Sequence, residues 1–409
     1  MSYFSALTAD EEKRRRWSIG FNNFAHAVDH YVMLIFPTVV IGLMAVYQRT
    51  YAELIALATA SFFAFGLFSL PAGWLADRWS RRNMMVVFYI GCGVSLAAAA
   101  LAPNLVALAI ALFALGIFAA IYHPVGTAIV VSEAVNRGRT LAFNGVCGNL
   151  GVALAAGITA ILTAWVGWRG AFLLPAAICV ATGIAYLVLI PGDKKQSAGR
   201  SSTPDVRLAV WLMASVFGLF ILIGTTAGLV FNTLTIALPK VIDERIGDGI
   251  SLVAVGGMAT AVFLAGAVAQ FTVGRVLEKF PPHLIFAVVA LLQFVGVVWA
   301  VYATGTMLLL ALAFAMAFVY AQVTVNDFVI ARYTADKWRS RVFAVRYFIT
   351  YVISGAAVSM IALLHGRGGF DLVLGVTAVV AFGFVIGTAA IAMLVNGVER
   401  DIKIAQPAE

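Results

Sequence analysis

Long apolar runs dominate the 409-residue chain and leave little polar sequence between them. Hydrophobic residues make up 62% of the chain and charged residues only 11%, whereas soluble domains carry about 25% charged residues. Each run is long enough to span a membrane, because a helix crosses the hydrocarbon core with about 20 apolar residues. The sequence predicts twelve spans, at 18–46, 53–75, 84–102, 105–131, 140–165, 170–191, 208–239, 251–273, 284–303, 306–331, 342–364 and 371–396. We therefore expect an all-α integral membrane protein.

A polar segment separates the first six spans from the last six. Residues 192–204 are rich in Gly, Ser and Lys and contain a proline, which is typical of a flexible linker. The other connections between spans are short and leave no room for a soluble domain. We expect two six-helix bundles, 1–191 and 205–409, joined by this linker.

The distribution of Lys and Arg predicts the orientation in the membrane. If the N-terminus is cytoplasmic, the cytoplasmic tails and loops hold 21 of these residues and the opposite loops hold 5. Because positive residues collect on the cytoplasmic side, this predicts a plasma (inner) membrane protein with both termini in the cytoplasm. The same bias explains the net charge of +8 without nucleic-acid binding.

Several landmarks of the first half recur about half a chain later. At offsets of 201 or 202 residues the pairs are Gly73 with Gly274, Asp77 with Glu278, Pro37 with Pro239, and Arg139 with Arg341. A constant offset of this size indicates internal duplication. In a chain this hydrophobic, duplication is typical of transporters whose two halves move against each other.

The segment after the second span, residues 73–82, reads G-W-L-A-D-R-W-S-R-R. With twelve spans in two related halves, it resembles the major facilitator superfamily, and the resemblance covers the whole chain. The resemblance implies that this segment closes the cytoplasmic side, with Asp77 meeting the start of the eleventh helix near Arg341. The motif residues expected to act as a conformational gate are Gly73, Asp77, Arg78 and Arg81.

A narrower resemblance is to the fosmidomycin-resistance-like branch of efflux proteins. It rests on residues 25–29, which read A-H-A-V-D before Pro37, on 122–124, which read Y-H-P, and on 148–151, which read G-N-L-G. This resemblance implies export of a small organic compound.

The first span carries the densest group of polar side chains. Asn22, His26, Asp29 and His30 recur at helical spacing and share one stripe of the helix. Asp29 is the candidate for proton exchange, because a carboxylate charge is costly in a membrane and its protonated form is not. His26 and His30 exchange protons near neutral pH and can couple to it. The alternative is a structural hydrogen-bond cluster.

His123 stands directly before Pro124 in the fourth span, where the proline frees a backbone carbonyl and favours a kink. If the first and fourth spans share a cavity, His123 joins His26, Asp29 and His30 as a substrate ligand. These side-chain types also suit a divalent metal ion. Proton coupling needs the same residue types, so we predict no metal site.

In the second half, Asp327 and Arg346 lie at similar depth in consecutive spans, and we predict that they pair. Arg346 then either belongs to a fixed salt bridge or binds a substrate anion when released. Further substrate-binding candidates, each equally compatible with packing, are Asn149, Asn232, Tyr347 and Tyr351. Four residues lie near span ends, where snorkelling or solvation explains them: Lys240, Glu53, His283 and His365.

The sequence thus predicts a proton-coupled secondary transporter with alternating access, a monomer, that exports a small organic compound. The alternative is uptake or facilitated diffusion of a small organic anion or a divalent metal ion. An enzyme is not expected, since no nucleophile with a positioned base is recognisable, and no cofactor is expected.

Overall fold

The computed structural model describes residues 9–192, 210–247, 249–333 and 336–405, which form helices and no strands. Apart from Gly192, the linker predicted at 192–204 lies outside these residues. The helices are α1 Ala9–Tyr47, α2 Tyr51–Ile55, α3 Thr59–Leu67, α4 Ser69–Arg78, α5 Arg81–Ala100, α6 Leu105–Ala119, α7 Tyr122–Glu133, α8 Arg137–Leu189, α9 Val210–Arg245, α10 Leu252–Leu277, α11 Pro282–Tyr302, α12 Gly305–Tyr333 and α13 Asp336–Ala405.

Nine of the described helical segments are long and apolar enough to cross a membrane. A bent pair of helical segments, Tyr51–Leu67 and Ser69–Arg78, makes ten if it is counted as one span. Two of these, α8 and α13, have 53 and 70 residues, far more than the roughly 20 that one crossing needs. Each is interrupted at glycine, α8 at Gly167 with φ 76° and α13 at Gly368 and Gly369. Counting each as two spans gives the twelve that the sequence predicts.

Prolines interrupt the second and fourth spans. Proline has no N–H to donate to the carbonyl four residues earlier. Accordingly α3 ends at Leu67, four residues before Pro71. Likewise α6 ends at Ala119, one residue before Ala120, whose carbonyl is four residues before Pro124. Before Pro124 the helix is interrupted between α6 and α7, but the two helices form one span, Leu105–Glu133, so the predicted kink stays a prediction. This break places His123 in the first turn of α7, which packs against α1.

The chain forms two compact units. The first contains α1 and α3–α8, and its main contacts join α8 to both α1 and α5. Close approach of α8 to α1 depends on glycine: a Cβ at Gly151 would lie 2.2 Å from the carbonyl oxygen of Ala27. Small residues of this kind let membrane helices approach to backbone contact.

The second unit contains α9–α13 and the short helix α2. Its main contacts pair α9 with α13, α12 with α10 and α11, and α11 with α13. The core around Phe286 and Phe384, whose rings lie 5.5 Å apart, is fully buried. The helix α2 packs on α13, where the ring of Tyr51 lies 4.9 Å from that of His365.

The glycine contact yields a matched pair of substitutions on one helix. We expect Gly151→Ala to destabilise the protein by about 1–3 kcal/mol, because its Cβ collides with backbone. We expect Gly145→Ala to be neutral or to stabilise by up to about 1 kcal/mol, since no atom lies within 4 Å of the added Cβ. Thermal unfolding of the detergent-solubilised variants is the measurement. Equal melting temperatures would contradict the packing described here.

Candidate functional site

Three histidines and an aspartate from α1 and α7 meet inside the first unit. One nitrogen of each imidazole of His26, His30 and His123 lies within 4.8 Å of the other two. Asp29 lies beside them, with Oδ2 at 3.2 Å from Nε2 of His123. The prediction that the first and fourth spans bring these four side chains together is confirmed. We call them the histidine cluster.

The imidazole rings of the histidine cluster contact one another directly. Ring centroids are 5.1 Å apart for His26 and His30, 5.3 Å for His26 and His123, and 5.4 Å for His30 and His123. Tyr122 stacks on His26 at 4.8 Å. Because little water screens the packed rings, a change in the charge of one imidazole changes the electrostatic potential at the other two.

Asp29 is fully buried, with an exposed side-chain fraction of 0%. Neither of its carboxylate oxygens has a hydrogen bond within the part of the chain that the structure describes. The contact with His123 is therefore one of proximity and charge and not an aligned hydrogen bond. A buried carboxylate in this state is costly as an anion, and binding a cation or a proton removes that cost.

Asn144 of α8 fixes the position of His26. The Nδ1 atom of His26 lies 2.8 Å from the backbone oxygen and 3.0 Å from the side-chain oxygen of Asn144. The amide of Asn144 donates to Oδ1 of Asn23 at 3.0 Å, and the hydroxyl of Tyr122 donates to Asn144 Oδ1 at 3.1 Å. Because both oxygens near Nδ1 are acceptors, Nδ1 carries the hydrogen in neutral His26, and Nε2 carries the lone pair.

Gly148 makes room for the His26 ring. A Cβ at Gly148 would lie 2.5 Å from Nε2, 2.6 Å from Cε1 and 2.7 Å from Cδ2. These nearly equal distances mean that the glycine faces the flat side of the ring, so that it does not block the lone pair in the ring plane. Asn149 is the next residue on α8 and is half-buried; its role in substrate binding stays a prediction.

The motif after the second span is resolved in α4 and α5. A Cβ at Gly73 would lie 3.1 Å from Cβ of Pro124, so the absence of a side chain permits close approach to α7. Asp77 is 66% exposed and accepts a hydrogen bond from Arg81 at 2.8 Å. The guanidinium of Arg78 lies over the ring of Trp74 at 4.3 Å. The gating role of these residues stays a prediction.

Asp327 and Arg346 form an ion pair in the second unit, as the sequence predicts. The Arg346 side chain is 11% exposed and that of Asp327 is 37% exposed. Arg346 also borders a small pocket whose walls are apolar except for Asn326. Asn326 is buried, and its Oδ1 has no hydrogen bond among the described residues. The pocket has a volume of only about 20 Å³, which is room for one water molecule and not for an organic anion.

Two other substrate candidates, Asn232 and Tyr351, are not among the described residues that line this pocket. The amide of Asn232 donates to the carbonyl oxygens of Gly228 at 2.8 Å and Thr350 at 3.4 Å, which ties α9 to α13. Tyr351 is 9% exposed. The side chain of Tyr347 lies outside the described residues. Binding roles for these three stay predictions.

The expectation that solvation explains Lys240 and His365 at span ends is wrong. The Lys240 side chain is 6% exposed, and its ammonium lies 2.6 Å from Asp243 and 3.3 Å from Glu244. His365 Nε2 lies 3.0 Å from Glu244, and the cation of Lys240 lies 5.9 Å from the ring of Tyr51. The i, i+3 and i+4 spacing of 240, 243 and 244 is the signal from which this cluster was predictable.

His283 is also enclosed, contrary to the same expectation. It is 1% exposed, and its Nε2 lies 2.9 Å from Oδ1 of Asn396. Apolar residues surround the start of α11, so an imidazole there is buried with a polar partner and does not reach solvent. No local sequence signal reveals this partner, which is more than 100 residues away.

Two sets of apolar spans with charges enclosed in their interior define a multi-pass membrane protein. Residues 20–256 match the family model described as Major Facilitator Superfamily. The chain belongs to this superfamily, whose members are transporters and not enzymes, which confirms the resemblance seen in its sequence.

One curated relative is the chloramphenicol resistance protein of Streptomyces lividans. It is 28% identical over 234 residues, which are 54% of this chain and 56% of that protein. The chain thus spans about half the length of the curated relative it matches. A match to a resistance protein is consistent with the resemblance of the sequence to the efflux-type branch of the superfamily.

The fold is similar to solved transporter structures. A bacterial homologue of the human lysosomal transporter Spinster, inward-facing and unoccupied, has a TM-score of 0.72 and 15% identity, with 93% of this chain and 94% of that chain covered. A D-xylose–proton symporter has a TM-score of 0.71 and 15% identity, with 90% and 97% covered. At this identity the similarity shows the fold only.

The hydrogen bonds around Asn144 predict a stability effect. We expect Asn144→Ala to destabilise the protein by about 1–3 kcal/mol, because it removes the partner of Asn23 and Tyr122 inside the first unit. Asn149→Ala, on the same helix and half-buried, serves as the control and is expected to cost less. Thermal unfolding in detergent compares the two, and a larger loss for Asn149→Ala would contradict the central position of Asn144.

The ion pair of the second unit predicts a coupling energy. Asp327→Asn and Arg346→Gln each leave one charge without its partner, whereas the double variant leaves none. We expect the double variant to be more stable than the sum of the single effects by about 0.5–3 kcal/mol. A double-mutant cycle of thermal stability in detergent measures this value. Additive effects would show that the pair contributes nothing.

Proposed function

We propose that the chain is a proton-coupled secondary transporter that exports a small organic compound by alternating access. In this proposal it acts as a monomer in the plasma (inner) membrane with both termini in the cytoplasm. The observation that carries the proposal is Asp29, which is fully buried, without a hydrogen bond among the described residues and next to His123. A carboxyl group in this setting gains from taking up a proton, which is the property that proton coupling needs.

The imidazoles supply the link between the proton and the substrate. His26, His30 and His123 are in ring contact, so protonation at Asp29 changes the electrostatic field at each of them. We assign Asp29 the exchanged proton and the three histidines its coupling to substrate binding. Asp77 and the other residues of the motif at 73–82 would then restrain the cytoplasmic gate.

The direction of transport rests on the comparison with a resistance protein. A membrane transporter that confers resistance does so by removing a toxic compound from the cell, and export against a gradient requires an energy source such as the inward flow of protons. Chloramphenicol is therefore the first compound to test, followed by other neutral and anionic amphiphiles. The relation covers about half of either chain.

Uptake of a small organic anion is the second candidate. It is favoured by Arg346, a largely buried cation that borders the same small pocket as the buried amide of Asn326. This pocket, about 20 Å³ in volume, would have to widen to admit an organic anion. An anion with an apolar body would compete with Asp327 for the guanidinium. Vesicle orientation separates the two functions, because an exporter accumulates its substrate in inside-out vesicles and an importer accumulates it in right-side-out vesicles.

The role of Asp29 is tested by Asp29→Asn, which keeps the shape of the side chain and removes its titration. In inside-out vesicles with an imposed pH gradient, we expect at least a tenfold loss of gradient-driven accumulation of radiolabelled compounds, chloramphenicol first. Exchange of the same compound without a gradient should persist, because binding does not need the proton step. Accumulation is measured by rapid filtration.

Glu133→Gln is the matched control, since it neutralises a carboxylate at the end of α7 outside the histidine cluster. It should retain gradient-driven accumulation. Full activity of Asp29→Asn would show that Asp29 does not carry the coupled proton.

A further inference from the structure

We propose that the histidine cluster binds one divalent transition-metal ion of the zinc type. His26, His30 and His123 would be the nitrogen ligands, and Asp29 would supply the adjacent negative charge. This site is distinct from any substrate site in the second unit. The ion and the coupled proton would compete for the same side chains. Metal binding is measured without transport, so the inference can hold or fail independently of the export proposed above.

The distances among the imidazoles carry the inference. A tetrahedral zinc ion with bonds of about 2.1 Å holds its nitrogen ligands about 3.4 Å apart. The three ligand nitrogens here lie within 4.8 Å of one another. Small rotations of the imidazole rings therefore bring all three onto one ion, without movement of α1 or α7. His26 and His30 are one turn apart on α1, a spacing that places two ligands on one side of a helix.

His26 has the hydrogen-bond arrangement expected of a metal ligand. Its Nδ1 lies 2.8 Å from the backbone oxygen of Asn144, so Nδ1 carries the hydrogen. Histidines that bind metal usually donate this second N–H to a carbonyl or carboxylate, which fixes the ring orientation. The glycine at 148 faces the flat side of the ring and leaves the Nε2 lone pair open in the ring plane.

Asp29 provides the second, independent observation. A divalent cation bound only by neutral imidazoles would bring two uncompensated charges into the protein interior, which is costly. Asp29 is fully buried, 3.2 Å from His123, and its oxygens have no hydrogen bond among the described residues. A metal ion and this carboxylate would neutralise each other in part, so each would lower the free-energy cost of burying the other's charge.

The ligand types determine which ions fit. Imidazole nitrogens suit Zn²⁺, Co²⁺ and Ni²⁺, whereas Mg²⁺ and Ca²⁺ require oxygen ligands. The surroundings are aromatic: Phe65 lies 5.9 Å from the His123 ring, and Tyr122 stacks on His26. Such walls exclude the several water molecules that Mg²⁺ keeps when it binds to proteins. We therefore expect selectivity for borderline transition metals.

The test uses the full chain purified without a polyhistidine tag and titrated with ZnCl₂ or CoCl₂ by calorimetry and visible absorption. We expect one ion per chain with a tetrahedral Co²⁺ spectrum, displaced by Zn²⁺ and not by MgCl₂. His30→Ala and His123→Ala should each weaken binding at least about tenfold, as loss of a ligand does. His365→Gln, a histidine of the second unit outside the cluster, should bind normally.

Folding is checked on each variant by its elution profile and thermal unfolding. If an alanine variant does not fold, His30→Gln replaces it, because glutamine keeps a polar side chain of similar length without an imidazole nitrogen. Absence of saturable binding to the folded wild-type chain would overturn the proposal. So would binding that is unchanged in folded variants of His30 and His123, since the ion would then lie elsewhere.

Discussion

The interior of a membrane makes an unpaired charge costly, and the polar interior of this protein is arranged around that constraint. Two sites in the second unit meet it by pairing. Lys240 lies between two acidic side chains, and Arg346 pairs with Asp327. Asp29 in the first unit meets it differently, because its neighbours are imidazoles whose charge varies with protonation. The net charge around Asp29 can therefore change, whereas Arg346 and Asp327 are neutral as a pair only while the pair remains intact.

Backbone features determine that the histidine cluster forms. Pro124 interrupts the fourth span, and His123 consequently lies in the first turn of a new helix beside α1. Gly148 and Gly151 allow α8 to approach the same face of α1, so that Asn144 reaches His26. A proline and small residues thus bring three helices close enough for their polar side chains to interact. Helix propensity alone would give straight spans without this convergence.

The sequence was sufficient for the fold and for much of the site because both follow from local patterns. Apolar length predicts spans, and helical spacing predicts that His26, Asp29 and His30 share a face of α1. The contacts of Lys240 and His283 were missed because polar residues near span ends usually reach solvent. Burial at these positions depends on which helices pack over them, and that depends on contacts distant in sequence, such as His283 with Asn396.

The two halves keep traces of duplication, such as Pro37 in α1 and Pro239 in α9, yet their interior chemistry differs. In the second unit, Lys240 and Arg346 already have anionic partners, so a proton or cation taken up there would have to break an existing pair. In the first unit, Asp29 can accept a cation without breaking any hydrogen bond among the described residues. A site that changes its charge during a transport cycle must accept and release a cation without breaking other interactions, because each change must cost little free energy in both directions. The two halves thus differ physically: the first holds a buried carboxylate without a hydrogen bond among the described residues, and the second holds its charges in ion pairs.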